Sequence, residues 1–121
     1  MTVNAAPPMA PAIDLVHLAR QSLGDEGLEA ELLGLFDRQS AASVREIAAG
    51  LRADLAGSAR LAHKLRGSAL AVGASRVAEA AANLEALCEG ARPQTADCAQ
   101  AQAALADAVA DARRAIAALT A

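Results

Sequence analysis

The sequence predicts an all-α chain: an up-down-up-down four-helix bundle with a short additional helix at its N-terminus. Three observations carry that expectation. Ala, Leu, Arg and Glu, all good helix formers, dominate the composition. Aromatic residues are 1%, Phe36 alone with no Trp and no Tyr, whereas sandwiches and barrels lean on aromatic and β-branched side chains. Apolar residues recur at steps of three and four over long segments. At 121 residues and 55% hydrophobic, the chain is enough for one domain and hardly for two. Its core is expected to be Leu and Ala between closely packed helices.

Residues 1–12, "MTVNAAPPMAPA", read as a flexible Pro/Ala leader. They hold no basic residue and no long apolar run, so they do not read as a secretory signal. The bundle domain is expected over 13–121. Asp14 suits an N-cap for a short helix from Leu15 to about Leu23, and "LGDEG" then breaks the pattern. Leu28, Leu32, Leu35, Phe36, Val44, Ile47 and Leu51 outline one face of a helix from about Glu26 to Ala53, with Gly34 and Gly50 inside it. Asp54 can cap a third helix, Leu55 to Val72. "VGAS" makes the next corner: Gly73 suits a left-handed helix end, and Ser75 can cap the fourth helix.

The fourth helix carries Val77, Ala81, Leu84 and Cys88 on one side, and "EGARPQT" ends it. The last helix has the cleanest repeat, Cys98, Ala101, Leu105, Ala108, Ala112, Ile116 and Leu119. The long helices have short connections, so sequential neighbours should be antiparallel. No internal repeat is visible.

Several function classes recede on composition. The net charge of -3 argues against nucleic acid as the main partner. No apolar run approaches the ~20 residues of a membrane span. Cys88 and Cys98 flank a turn at Arg92-Pro93 and read as reduced, partly buried thiols rather than a disulfide. A metal site from these two and a histidine would match no zinc spacing, and none is expected.

The stretch "AHKLRGSALAVGA", residues 62–74, holds the candidate site. Leu61, Ala62, Leu65, Ala69 and Val72 cluster on the core side of the third helix. Measured from Leu65, His63 lies about 160° round the helix, toward solvent. Gly67 sits beside it one turn on, although glycine costs about 1 kcal/mol against alanine in a helix interior. Packing within the chain does not explain a glycine on the solvent side. A missing Cβ there leaves room for something from outside to reach the ring. Arg60, Lys64 and Arg66 surround His63 in a chain that is net acidic, which suits an arriving phosphoryl group. A neutral imidazole nitrogen is a good nucleophile near neutral pH. His17, on the short first helix, reads as an ordinary exposed histidine without a role.

At these residues the sequence resembles the histidine-containing phosphotransfer (HPt) domain. The family signature is a histidine, any residue, a leucine-like residue, Lys or Arg, glycine and a small residue, then a glycine and a small residue some six positions on. Here that is His63, Lys64, Leu65, Arg66, Gly67, Ser68, then Gly73-Ala74. The helix plan extends the likeness from about Asp14 to Leu119. The resemblance implies a four-helix bundle in which His63 takes a phosphoryl group from a receiver-domain aspartate and passes it to another receiver. Arg66, in place of the usual lysine, and Lys64 would hold the phosphoryl oxygens. Gly67 would admit the partner, with Arg60, Leu70 and Ser68 on the docking surface.

Family members often place a glutamine on the following helix to hold the ring. The matching position here is Glu85, whose carboxylate could orient the imidazole. No cofactor is implied; Mg²⁺ would come with the receiver. The partners would be receiver domains of a hybrid histidine kinase and of a response regulator, and the chain a monomeric cytoplasmic carrier without kinase activity. A non-catalytic interaction bundle is the competing expectation. Another is a phosphoacceptor fragment of a larger histidine kinase, although Ala121 reads as the natural end of a helix.

Overall fold

The computed structural model of the protein describes residues 11–90 and 95–120. Five helices follow in order: α1 (Leu15–Gln21), α2 (Glu26–Gly50), α3 (Leu55–Val72), α4 (Ser75–Glu89) and α5 (Thr95–Thr120). Residues 1–10 of the expected leader and the turn at Arg92-Pro93 lie outside the described residues.

Aspartates start three of the helices by accepting backbone N–H groups that lack a partner in the first turn. Asp14 accepts from Val16 and His17, Asp25 from Leu28, and Asp54 from Gly57 at 2.8 Å. The fourth start differs from expectation. Ala74, not Ser75, holds the cap position of α4, and no side chain caps it. The corner there is only Gly73-Ala74, and its bonds close back onto α3, with the Ala74 N–H on the Ala69 carbonyl at 2.8 Å. Ala74 is fully buried in that corner, so Ser75 is already the first residue of the helix.

Gly73 is fixed twice over. Its φ is +76°, left-handed as expected, and a Cβ there would lie 2.8 Å from the Asp14 carbonyl oxygen. The Asp14 N–H in turn donates to the Gly73 carbonyl at 2.9 Å, which ties the entry of α1 to the end of α3.

Two helix ends fall short of the sequence reading. α1 stops at Gln21 because Leu23 and Gly24 both turn to positive φ, 55° and 79°. α2 stops at Gly50, three residues before Ala53, where the chain folds back and the Asp54 N–H donates to the Gly50 carbonyl at 2.7 Å. α3 approaches closely at that point: a Cβ on Gly50 would meet the Ser58 hydroxyl at 2.9 Å.

The contacts close a ring, with α3 between α2 and α4, and α5 between α4 and α2, while α1 packs on α3. Connections this short make α2, α3 and α4 antiparallel in turn. Alanines at 59, 62, 69, 78 and 81 are buried between α3 and α4, and their small size lets the two axes approach. Leu65, Leu84, Leu105 and Phe36 fill the centre, each fully burying about 1.5–3 kcal/mol of side-chain transfer energy. The face expected for α2 is rotated. Leu33, Phe36, Ser40 and Ile47 point inward, while Leu28 and Leu35 are exposed and Leu32, Val44 and Leu51 are half-buried. On α5 the predicted stripe is buried from Cys98 to Ile116, and Leu119 is exposed at its end.

Among the described residues, no helix is long and apolar enough to cross a membrane.

Candidate functional site

α3 turns its alanine and leucine side to the core, and this sets the direction of His63. Its side chain is 68% exposed. The ring is nevertheless held. His63 Nδ1 lies 2.9 Å from Oε2 of Glu85, which reaches across from α4 and is itself only 18% exposed. A carboxylate can only accept, so the proton of the pair sits on Nδ1. A neutral ring then carries its lone pair on Nε2, for which the described residues supply no partner. The arrangement presents an oriented imidazole with its nucleophilic nitrogen free.

Gly67 lies one turn along the same stripe. A Cβ built there meets nothing within 4 Å. The glycine relieves no crowding inside this chain, as the helical phase anticipated. Leu70 continues the stripe, half exposed at 49%. Arg60, Lys64 and Arg66 are all exposed, and among the described residues none of them forms an ion pair. The other ion pairs lie elsewhere, joining Arg76 and Arg114 to Asp111, and Arg113 to Asp37.

The structure distributes the cations around the ring rather than stacking them on one side. Arg66, at i+3, stands about 60° from His63 round the helix, and Lys64 about 100° the other way. Lys64 and Ser68 belong to a shallow groove of about 170 Å³ between α2 and α3, opposite Gln39, Ser43 and Glu46. Ser68 donates to the Lys64 carbonyl at 3.3 Å and so stays on its own helix. At Gln39 and Ser68 the groove runs into an apolar recess of about 110 Å³, lined by Leu32, Leu35 and Ala71. The α2 wall was not read from the sequence. Its signal was available in Gln39, Ser43 and Glu46, polar residues spaced four and three apart that continue the stripe of Leu32 and Leu35 along α2.

His17 departs from its expected exposure. It is half-buried, and its Nε2 is enclosed without a hydrogen-bond partner. It lies on α1, which is tied to α3 at Gly73, and ten residues of helix, about 15 Å, separate Gly73 from His63. The structure therefore does not bring the two histidines together.

Cys88 and Cys98 are free and buried. Burial, and then the neighbouring Cys98 thiol, push the Cys88 thiol up to about 11, which makes it a poor nucleophile at neutral pH. Among the described residues, no three His, Cys, Asp or Glu side chains stand together as a metal site.

Comparison with known proteins agrees with this geometry. The family model of the Hpt domain matches residues 31–115, which include His63, the basic residues around it and Glu85. No curated protein matches the sequence. Two solved structures are similar in fold. One is a rice protein described as a histidine-containing phosphotransfer protein, 23% identical over 88% of this chain and 78% of that one, with a TM-score of 0.77. The other is a maize histidine-containing phosphotransfer protein, 24% identical over 85% of this chain and 78% of that one, with a TM-score of 0.73. With a family match over well more than half its length, on a helical bundle that holds one solvent-facing histidine by its Nδ1, the chain belongs to the Hpt domain family and works in a phosphorelay.

Proposed function

We propose that His63 carries the phosphoryl group, taking it from one receiver-domain aspartate and delivering it to another. The observation that carries this reading is the 2.9 Å contact between Nδ1 and Glu85, which leaves Nε2 as the free nucleophile on an open face. In the uptake step the Nε2 lone pair forms a bond to phosphorus. The bond from phosphorus to the donor's carboxylate oxygen breaks, and the aspartate leaves as a carboxylate. Delivery is the reverse step toward a second receiver.

The surrounding residues take roles suited to this step. Arg66 offers a planar donor to the phosphoryl oxygens. Lys64, on the groove side, adds a second positive charge, and Arg60 helps attract an acidic partner surface. Gly67 gives the partner's aspartate room to reach the ring, while Leu70 and Ser68 contribute to the docking surface. The charge that develops at the transferring oxygens is offset by Mg²⁺ brought by the receiver. In this reading the protein is a cytoplasmic monomer, a carrier with no kinase activity of its own. Its partners are receivers of a hybrid histidine kinase and of a response regulator, not nucleic acid.

A panel of phosphorylated receiver domains tests the proposal. The protein should remove label from at least one of them, and the label gained should be lost in acid, as phosphohistidine is. His63→Gln should fold normally and gain no label, while His17→Gln should gain it as the wild type does. Normal uptake by His63→Gln would refute the assignment.

A further inference from the structure

Glu85 does more than point the ring. We infer that its carboxylate retains the Nδ1 proton of His63 through the whole carrier cycle, so that neither uptake nor delivery has to move a proton. The inference rests on the phosphocarrier reading of His63.

The chemistry depends on which nitrogen reacts. Uptake starts from a neutral ring with the proton on Nδ1, donated to Glu85 Oε2 at 2.9 Å. Bonding of Nε2 to phosphorus leaves that proton in place and makes the ring a phosphoimidazolium, positively charged. Delivery returns the bonding electron pair to Nε2 as the P–N bond breaks, and the ring leaves as neutral imidazole. Had Nδ1 lost its proton meanwhile, the leaving group would be an imidazolate, far too basic to depart at a useful rate. The carrier must therefore either keep the proton or regain one from solvent before delivery.

The groups facing the ring decide between these routes. On α3 itself, Arg60, Lys64 and Arg66 are cations that favour loss of a proton from a charged ring. Across the groove, Glu46 on α2 stands opposite Lys64. On α4, Glu89 follows Glu85 by one turn and is exposed. Glu85 alone is at hydrogen-bond distance, and it is largely covered, where a charge acts more strongly than in open water. An amide at this position could accept the same hydrogen bond and hold the same ring orientation. It could not offset the charge that phosphorylation creates.

The test separates charge from orientation. Wild type and Glu85→Gln, each with ¹⁵N-labelled histidine, are phosphorylated with phosphoramidate, which needs no docking partner. The Nδ1 shift of phosphorylated His63 is then followed with pH. The wild type should lose this proton at a pH at least one unit higher than Glu85→Gln. Delivery to a receiver should persist correspondingly further into alkaline solution, at least about fivefold faster than the variant one unit above the variant's midpoint. Coinciding titrations on a phosphorylated His63 would overturn the inference and leave the carrier reading standing. No phosphate on His63 in either protein would overturn both.

Discussion

Two glycines of the α3 region, Gly67 and Gly73, lie six residues apart and differ both in backbone conformation and in surroundings. Gly73 has φ +76°, and a Cβ there would stand 2.8 Å from the Asp14 carbonyl oxygen. Gly67 has ordinary helical backbone and nothing within 4 Å of where its Cβ would be. The first is required by the chain itself, for the corner into α4 and for the seat of α1. The second is required by nothing in the chain. Within a segment of one composition, a glycine that the fold needs can thus be told from one that it does not. The second kind lies beside the one ring nitrogen left free on an exposed face.

The comparison breaks first at Gly73. Gly73→Ala places a side chain in the left-handed region, which costs about 1–2 kcal/mol, and adds a contact with backbone that cannot move aside. Urea unfolding should show a loss of about 2 kcal/mol or more. A variant as stable as the wild type would mean that the corner is not locked as described.

A second expected effect lies away from the face, at the core thiols. Cys88 ionises near 9 when unfolded and at about 11 in the folded chain. Between those values the unfolded chain has already released its proton and the folded one has not. Stability is therefore complete below about pH 9 and falls as pH rises toward 11, by about 2 kcal/mol. Cys88→Ala should flatten that part of the stability curve, measured by denaturant midpoints at pH 8 and pH 11. An equally steep fall in the variant would place the alkaline sensitivity elsewhere.

Legibility in the sequence followed the same physical divide. α3 could be placed in phase because its apolar side is unbroken from Leu61 to Val72, and both its ends carry strong signals in Asp54 and Gly73. α2 could not, because Leu28 and Leu35 are apolar yet exposed, while the inward Ser40 is polar and satisfied by the Asp37 carbonyl at 3.2 Å. In so alanine-rich a chain a few leucines dominate the apparent period, and two of them face outward. The solvent-facing direction of His63 and Gly67 was legible from helical phase alone. Glu85 was not: its reach across to Nδ1 joins positions 22 residues apart, and only the family resemblance paired them. The enclosed Nε2 of His17 was invisible too, since it depends on how a seven-residue helix lies on α3.

Gly67→Gln carries the smallest expected change in stability and the sharpest test of the account. Its site is open and glutamine is the better helix former, so the variant should melt no lower than wild type, within about 1 kcal/mol. Labelling by phosphoramidate should be unchanged, because a small donor needs no docking surface. Transfer from a phosphorylated receiver should fall at least tenfold, because the added side chain stands where the partner's aspartate approaches the ring. Transfer from the receiver at the wild-type rate, with fold and phosphoramidate labelling intact, would contradict the claim that this open face of α3 is where a partner reaches His63.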